Sequence, residues 1–428
     1  MCTVAARRPV STGVALALLA GCGGVTGAPI SPAPDVKEHR QQTAVVERVV
    51  HIFGAPGDGA EPVARLLNMN GILYGTTSVG GNARQYGTIF AILPNGQEKS
   101  VYITAAEGGN IMAGLTKVGG LLYGTTAEGG VNGQGVVYSL EANTAAPPRG
   151  ETDIYSFPYG YSGAWPNSDL IYANGKLYGT TKFGGYQRGD SGSVFSLTTT
   201  GQRRVLHLFG NTGDGSTPKG DLVAINGKIY GTTYGGGTGC QFGCGTVYSL
   251  TQGGTETVLH NFTGAPDGWG PNGLINVDGT MYGTTSGGGT GCNCGTVFSI
   301  DTAGNEKVLY SFAGAPDGAA PNAGLLYAGG TFYGTTTNGG AYDCSYVFFG
   351  SGCGTVFSIT PSGSETVLYS FTGLKFGSRP DGMYPAASLI AVDGKLFGTT
   401  EFGGMECATD TPGCGTVFSI EPQPPLRH

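Results

Sequence analysis

Residues 332–340 read FYGTTTNGG: an aromatic pair, Gly334, three threonines, Asn338 and a Gly339-Gly340 doublet. Aromatic and β-branched residues favour extended backbone and Asn-Gly-Gly favours a tight turn, so the stretch is a strand running into a turn. Near-copies recur as LYGTT at 73–77, 122–126 and 177–181, IYGTT at 229–233, MYGTT at 281–285 and LFGTT at 396–400. Aligned on their aromatic residue, the seven copies lie 49 to 64 residues apart. A sequence that repeats itself at such a period states an architecture of repeated units.

Each unit carries three further words. GTVFSI stands at 295–300, 354–359 and 415–420, with GTIFAI, GVVYSL, GSVFSL and GTVYSL as variants. VLYSF stands at 308–312 and 367–371, with VLHLF at 205–209 and VLHNF at 258–262. A short apolar run, such as GLLYA at 324–328 or SLIAV at 388–392, precedes each YGTT word. Four strand-length segments per unit, punctuated by Gly, Asn, Asp and Pro and free of helical periodicity, describe a β-propeller blade. Seven units predict an all-β, seven-bladed propeller of about 50-residue repeats. With the apolar run as innermost strand A, the order is A, then YGTT as B, GTVFSI as C and VLYSF as D. The first such word in the chain, VVHIF at 49–53, is of type D, and the last, at 415–420, is of type C. The N-terminal strand should therefore complete blade 7 and remove the open edges of the ring. The YGTT aromatic should pack between blades, its glycine should allow close backbone approach near the axis, and its threonines should hydrogen-bond locally at the turn.

The unit order resembles kelch repeats. The combination of PDGxxPxxGL, LYGTTxxGG, GTVFSI and VLYSF resembles the GloVer tandem repeats of bacterial "choice-of-anchor" exported proteins, over about residues 46–421. The resemblance implies an exported, surface-associated repeat protein and supports fold and location more than activity. The second unit departs from it, with Glu107-Gly108-Gly109-Asn110 in place of the Asp-Gly turn.

The flanks read as targeting and tether. Arg7 and Arg8, the apolar run Val14–Ala20 and the word Leu19-Ala20-Gly21-Cys22 describe a signal peptide over 1–21, too short to span a bilayer. Cys22 after Leu-Ala-Gly is similar to a bacterial lipobox, which makes it the expected lipidation site; simple signal cleavage is the alternative. Residues 22–45 form a Pro/Gly-rich tether, 46–421 the propeller and 422–428 a tail. This reading expects an exported lipoprotein of the outer membrane or cell surface, touching the membrane through its lipid only and monomeric. The net charge of −7 offers no basic stripe for nucleic acid.

Constellations for chemistry are sparse. His51, His207 and His260 share a slot with Tyr102, Tyr155, Tyr310 and Tyr369, a strand-packing position rather than a catalytic cluster. Eight cysteines pair within the B–C loops of blades 4 to 7: Cys240/Cys244, Cys292/Cys294, Cys344/Cys353 and Cys407/Cys414. In an exported chain these are disulfide candidates; a zinc or iron–sulfur site is the alternative, and no histidine accompanies them. Asp58, Asp214, Asp267, Asp317 and Asp381 form Asp-Gly turns, one in each of five units, too dilute for a calcium loop. No metal site and no cofactor are expected. The D–A turns and B–C loops emerge on one face, which carries the aromatic ligand-binding candidates Trp165, Trp269, Tyr342, Tyr346, Phe348, Phe349 and Tyr384. The leading expectation is a non-enzymatic envelope protein that recognises a glycan or surface protein on that face. A carbohydrate-active hydrolase or lyase using carboxylates such as Glu128, Glu401, Glu406 or Asp410 is the first alternative, and a purely structural surface protein the second.

Overall fold

The computed structural model describes residues 45–422 apart from 56, 82–85, 103–108, 142–148, 161, 186–190, 345–351, 374–380 and 405–412. These residues contain no helix and form a seven-bladed β-propeller. Blade 1 shows the plan: strand A at Leu67–Met69, B at Ile72–Thr76, C at Thr88–Ile92 and D at Glu98–Tyr102, each antiparallel to its neighbour. Strand A is short and B and C are wholly buried, as the crowded centre of a radial array requires.

Blade 7 takes its A, B and C strands from the C-terminal end of the chain, at Ile390–Val392, Lys395–Thr400 and Thr416–Glu421. Its D strand is Val46–Ile52, which pairs antiparallel with Thr416–Glu421 from Val46↔Glu421 to Ile52↔Thr416. The clasp predicted for residues 49–53 therefore closes the ring. The core is divided into seven apolar clusters, one at each junction of neighbouring blades. Each contains a YGTT aromatic: Tyr74 packs against Leu115 and Leu122 of blade 2, and Phe397 of blade 7 against Leu66 and Phe90 of blade 1.

The glycine of the YGTT word has a different reason from the one expected. It does not admit backbone at the axis. In all seven blades it lies directly opposite the strand C aromatic, as in Gly334↔Phe357 and Gly231↔Tyr248, and the ring covers it. A Cβ at Gly334 would stand 2.5 Å from Phe357 Cζ, and one at Gly398 would stand 2.6 Å from Phe418 Cζ. The same ring makes an edge contact with the phenylalanine that follows the preceding blade's D strand, Phe312 with Phe357 and Phe371 with Phe418, each 5.0 Å between centroids. One missing side chain thus makes room for an aromatic that ties two blades together.

The two threonines divide the work. The second bonds locally: Thr336 Oγ1 donates to the Asn338 carbonyl at 2.8 Å and lies 2.8 Å from Thr355 Oγ1 at the start of strand C. In five blades the first reaches the next blade, Thr76 donating to the Ala113 carbonyl at 3.0 Å and Thr284 to that of Ala323 at 2.8 Å, whereas Thr125 and Thr180 make no such bond.

Candidate functional site

The D–A turn and B–C loop of each blade meet on one face, through small ladders such as Gly318–Ala319 with Asn338–Gly339 and Gly382–Met383 with Phe402–Gly403. The residue before the blade's proline, or its equivalent, has positive φ in every blade: Glu61, Asn110, Trp165, Thr217, Gly270, Ala320 and Tyr384, between 51° and 63°. Only one of the seven is glycine, so left-handed backbone is imposed on residues that disfavour it. The cause is a latch. Each N–H donates to the carbonyl that ends the preceding blade's B–C loop, those of Cys414, Tyr86, Gln134, Ser191, Cys244, Cys294 and Cys353, at 2.8 to 3.0 Å. Three of these carbonyls belong to disulfides whose partners are described, Cys240–Cys244, Cys292–Cys294 and Cys344–Cys353. Cys414 is also disulfide-bonded, and Cys407 lies outside the described residues.

Inside this ring, a cavity of about 610 Å³ opens on the axis and draws lining residues from all seven blades. Three sequence positions supply most of the wall. The residue after the proline or its equivalent contributes Val63, Met112, Asn167, Lys219, Asn322 and Ala386. The residue before the buried leucine that leads into strand A contributes Arg65, Asp169, Asp221, Gly273, Gly324 and Ser388. The residue after the two threonines contributes Ala127, Lys182, Tyr234 and Glu401. A second axial cavity of about 470 Å³ lies toward the A–B hairpins, and Arg65, Asp221 and Ser388 line both. Arg65 bridges the channel, reaching Asp169 at 3.3 Å and Asp221 at 3.9 Å.

The other charged groups of the pocket are less well matched. Lys219 donates to Asn322 Oδ1 at 3.1 Å and stands 5.0 Å from the Tyr234 ring centroid, and burial pushes its amine down to about 8. Glu401 is pushed up to about 7, by burial first and then by the negative Glu61. Asp169 is raised by burial more than Arg65 lowers it. Such perturbed groups converging on one concavity mark a candidate binding or catalytic site.

Of the aromatic candidates, Trp165 lines this cavity and meets Phe183 edge-on at 5.1 Å. Trp269 reaches it only through Tyr234, 6.1 Å away, and donates from Nε1 to Asn293 Oδ1 at 3.0 Å. Tyr384 is nearly buried against Phe402, and Tyr342 stands exposed on the blade 6 loop. Tyr346, Phe348, Phe349, Glu406 and Asp410 lie outside the described residues. Glu128 pairs through its backbone with Gly109 and does not line the pocket.

The shared His/Tyr slot is more than packing. His51, His207 and His260 each place Nε2 3.1 to 3.3 Å from an oxygen of the Asp-Gly turn, those of Asp58, Asp214 and Asp267. Tyr310 and Tyr369 donate at 2.9 Å to Asp317 and Asp381 in the same way. A glutamate from the neighbouring D strand adjoins each Asp: Glu98 and Glu256 beside Asp58 and Asp214, and Glu306 beside Asp267. Ligand atoms of each of these three His-Asp-Glu groups lie within 4.8 Å of one another. That tyrosine serves equally well at the slot shows that a hydrogen bond to Asp is what the site needs. Burial and the facing Asp push Glu306 up to about 7 and Glu47 and Glu365 up to about 8, and raise Glu256 too.

Fold and site together define a repeat β-propeller with an axial pocket on its loop face. The chain belongs to the Gloeobacter/Verrucomicrobia repeat family, which it matches over residues 39–149, 101–265 and 238–425. No curated protein matches the sequence. Among solved structures it is similar to the computationally designed Ika8 protein (13% identity, 86% of this chain and 98% of that one, TM-score 0.45). It is also similar to a putative gluconolactonase (14%, 90% and 95%, TM-score 0.43) and to puromycin hydrolase (12%, 81% and 50%, TM-score 0.48). Likenesses this distant bear on neither activity nor ligand.

Proposed function

We propose that this protein is an exported, non-enzymatic binding module that recognises a glycan in the axial pocket of its loop face, held at the outer membrane or cell surface by lipid on Cys22. One observation carries the binding reading. The words that build the blades are nearly constant, whereas the pocket positions differ in chemistry from blade to blade, with Lys219, Asn322, Asp169, Tyr234 and Glu401 at places where Gly, Ala or Ser suffices elsewhere. A ring selected only for packing has no use for that diversity. Half-buried Trp165 and exposed Tyr234 offer the flat apolar faces on which sugar rings stack. The disulfides fit an oxidising compartment.

A glycan array probed with the mature chain tests this reading: binding that is lost in Trp165→Ala supports it, and an empty array leaves the structural surface protein as the better account. Cys22→Ala should release the protein from membranes; unchanged fractionation would remove the lipid anchor from the proposal. A second reading, a carbohydrate-active hydrolase or lyase, is favoured by Glu401, whose carboxyl titrates near 7 beside a second carboxylate. Turnover of any bound glycan, abolished by Glu401→Gln, would establish it.

A further inference from the structure

The pocket treats its cations in two ways. Arg65 is given two carboxylates, Asp169 and Asp221, and its role is met within the protein. Lys219 and Lys182 have no carboxylate oxygen within 4.0 Å among the described residues. Lys219 is half-buried, and its ammonium meets only the neutral Asn322 amide oxygen and the face of Tyr234. Lys182 stands 5.4 Å from the Phe183 ring, and the same ring takes the edge of Trp165. Blades 3 and 4 therefore present two unneutralised ammonium groups with an indole and a phenol beside them. Across the axis Glu401, pushed up to about 7, makes no ion pair within 4.0 Å with either lysine among the described residues. A half-buried ammonium with no counter-ion is costly unless something else brings one.

We propose that the axial pocket takes an anionic sugar residue, whose carboxylate or sulfate group pairs with Lys219 while its ring lies against Trp165. The inference rests on the glycan-binding reading above and names the ligand class for that site. The charge and the stacking face come from different residues, so they are separable: Trp165 answers to the sugar ring and Lys219 to the anion. Lysine is a point charge with rotatable donors and accepts either anion, so the structure specifies the charge and not which group bears it.

The test is binding of the mature full-length chain to uronate oligosaccharides, each paired with its carboxyl-reduced neutral parent, and to sulfated ones paired with their desulfated parents. We expect the anionic member of at least one pair to bind about ten- to hundredfold more tightly, the size of one charge-assisted hydrogen bond. Which series shows the preference identifies the anion. Lys219→Gln should erase the preference without lowering the melting temperature, and Lys219→Arg should largely restore it. If sugars bind but neutral parents match anionic ones, or the preference survives Lys219→Gln, the inference is wrong and the glycan reading stands. If no sugar of either kind binds, both fall.

Discussion

Gly334 and its six counterparts are the most constrained residues of the fold, because an aromatic ring occupies the space a side chain would need. Gly334→Ala would push a methyl group against Phe357 Cζ and Cε1, at 2.5 and 2.8 Å, and against Leu325 Cδ2 at 3.1 Å. Displacing Phe357 would also disturb Phe312 of the preceding blade. The expected cost is about 1–3 kcal/mol, from overpacking rather than from backbone strain. Equilibrium urea unfolding measures it, and a double variant with Phe357→Leu should recover part of the loss. Full stability in the single variant would show that the ring does not hold that position. At this scale the sequence was legible for types but not for partners. The glycine was visible in every repeat, yet its reason lies on a strand about 20 residues later. The Asp of each turn was visible as a turn former, and its N–H bonds are there, as from Gly318 to Asp317 at 2.6 Å. The hydrogen bond from Tyr310 to the same Asp required knowing that two residues seven apart face each other across a strand end.

At the scale of elements, order and phase could be read from the repeat, because hydrophobic words of fixed length leave little freedom in strand assignment. Val46–Ile52 as the D strand of blade 7 followed from counting words. What it holds in place could not be read in that way: Phe53, which follows the strand, is wholly buried and meets Phe90 of blade 1 edge-on at 5.0 Å. Removal of residues 46–53 should therefore expose the 416–421 edge and loosen the junction of blades 7 and 1 together. Hydrogen exchange should show protection lost first at 416–421, with blades 3 to 5 unaffected. Loss spread evenly round the ring would mean that the propeller opens as one unit. The axial pocket was partly legible too. Arg65, Asp169 and Asp221 interrupt a position that is Gly or Ser in the other blades, and such a break in a repeat is the signal that could have found them. Without the radial arrangement, nothing said that residues 104 and 156 positions apart would meet one arginine.

For the whole molecule, the acidic groups at the blade junctions set a pH dependence. Glu47, Glu306 and Glu365 keep their protons up to about 8, about 7 and about 8, against an ordinary value of 4.5, because each is partly buried and faces an Asp. Glu256 is raised for the same reason. The unfolded chain would release these protons near pH 4.5, so between there and about pH 8 the folded state binds more of them. Stability from these groups is therefore complete below about 4.5 and is lost as pH rises toward 8. Thermal melts across that range should show a falling midpoint. Replacing Glu47, Glu306 and Glu365 by Gln should flatten the fall while leaving the acid end unchanged, and an unaltered slope would mean that other groups govern it.

The left-handed residues that ring the loop face have an evolutionary corollary. Their latch is made by main-chain atoms alone, an N–H of one blade and a carbonyl of the one before it, so closing the ring does not depend on which side chain the position bears. Glutamate, asparagine, tryptophan, threonine, glycine, alanine and tyrosine all occupy it in this one chain. After duplication of a blade, such a position is free to drift without endangering the scaffold, at a backbone cost of about 1 kcal/mol for a residue other than glycine. Each blade thus carries a position whose side chain can change without loss of its latch, while the propeller beneath it stays the same.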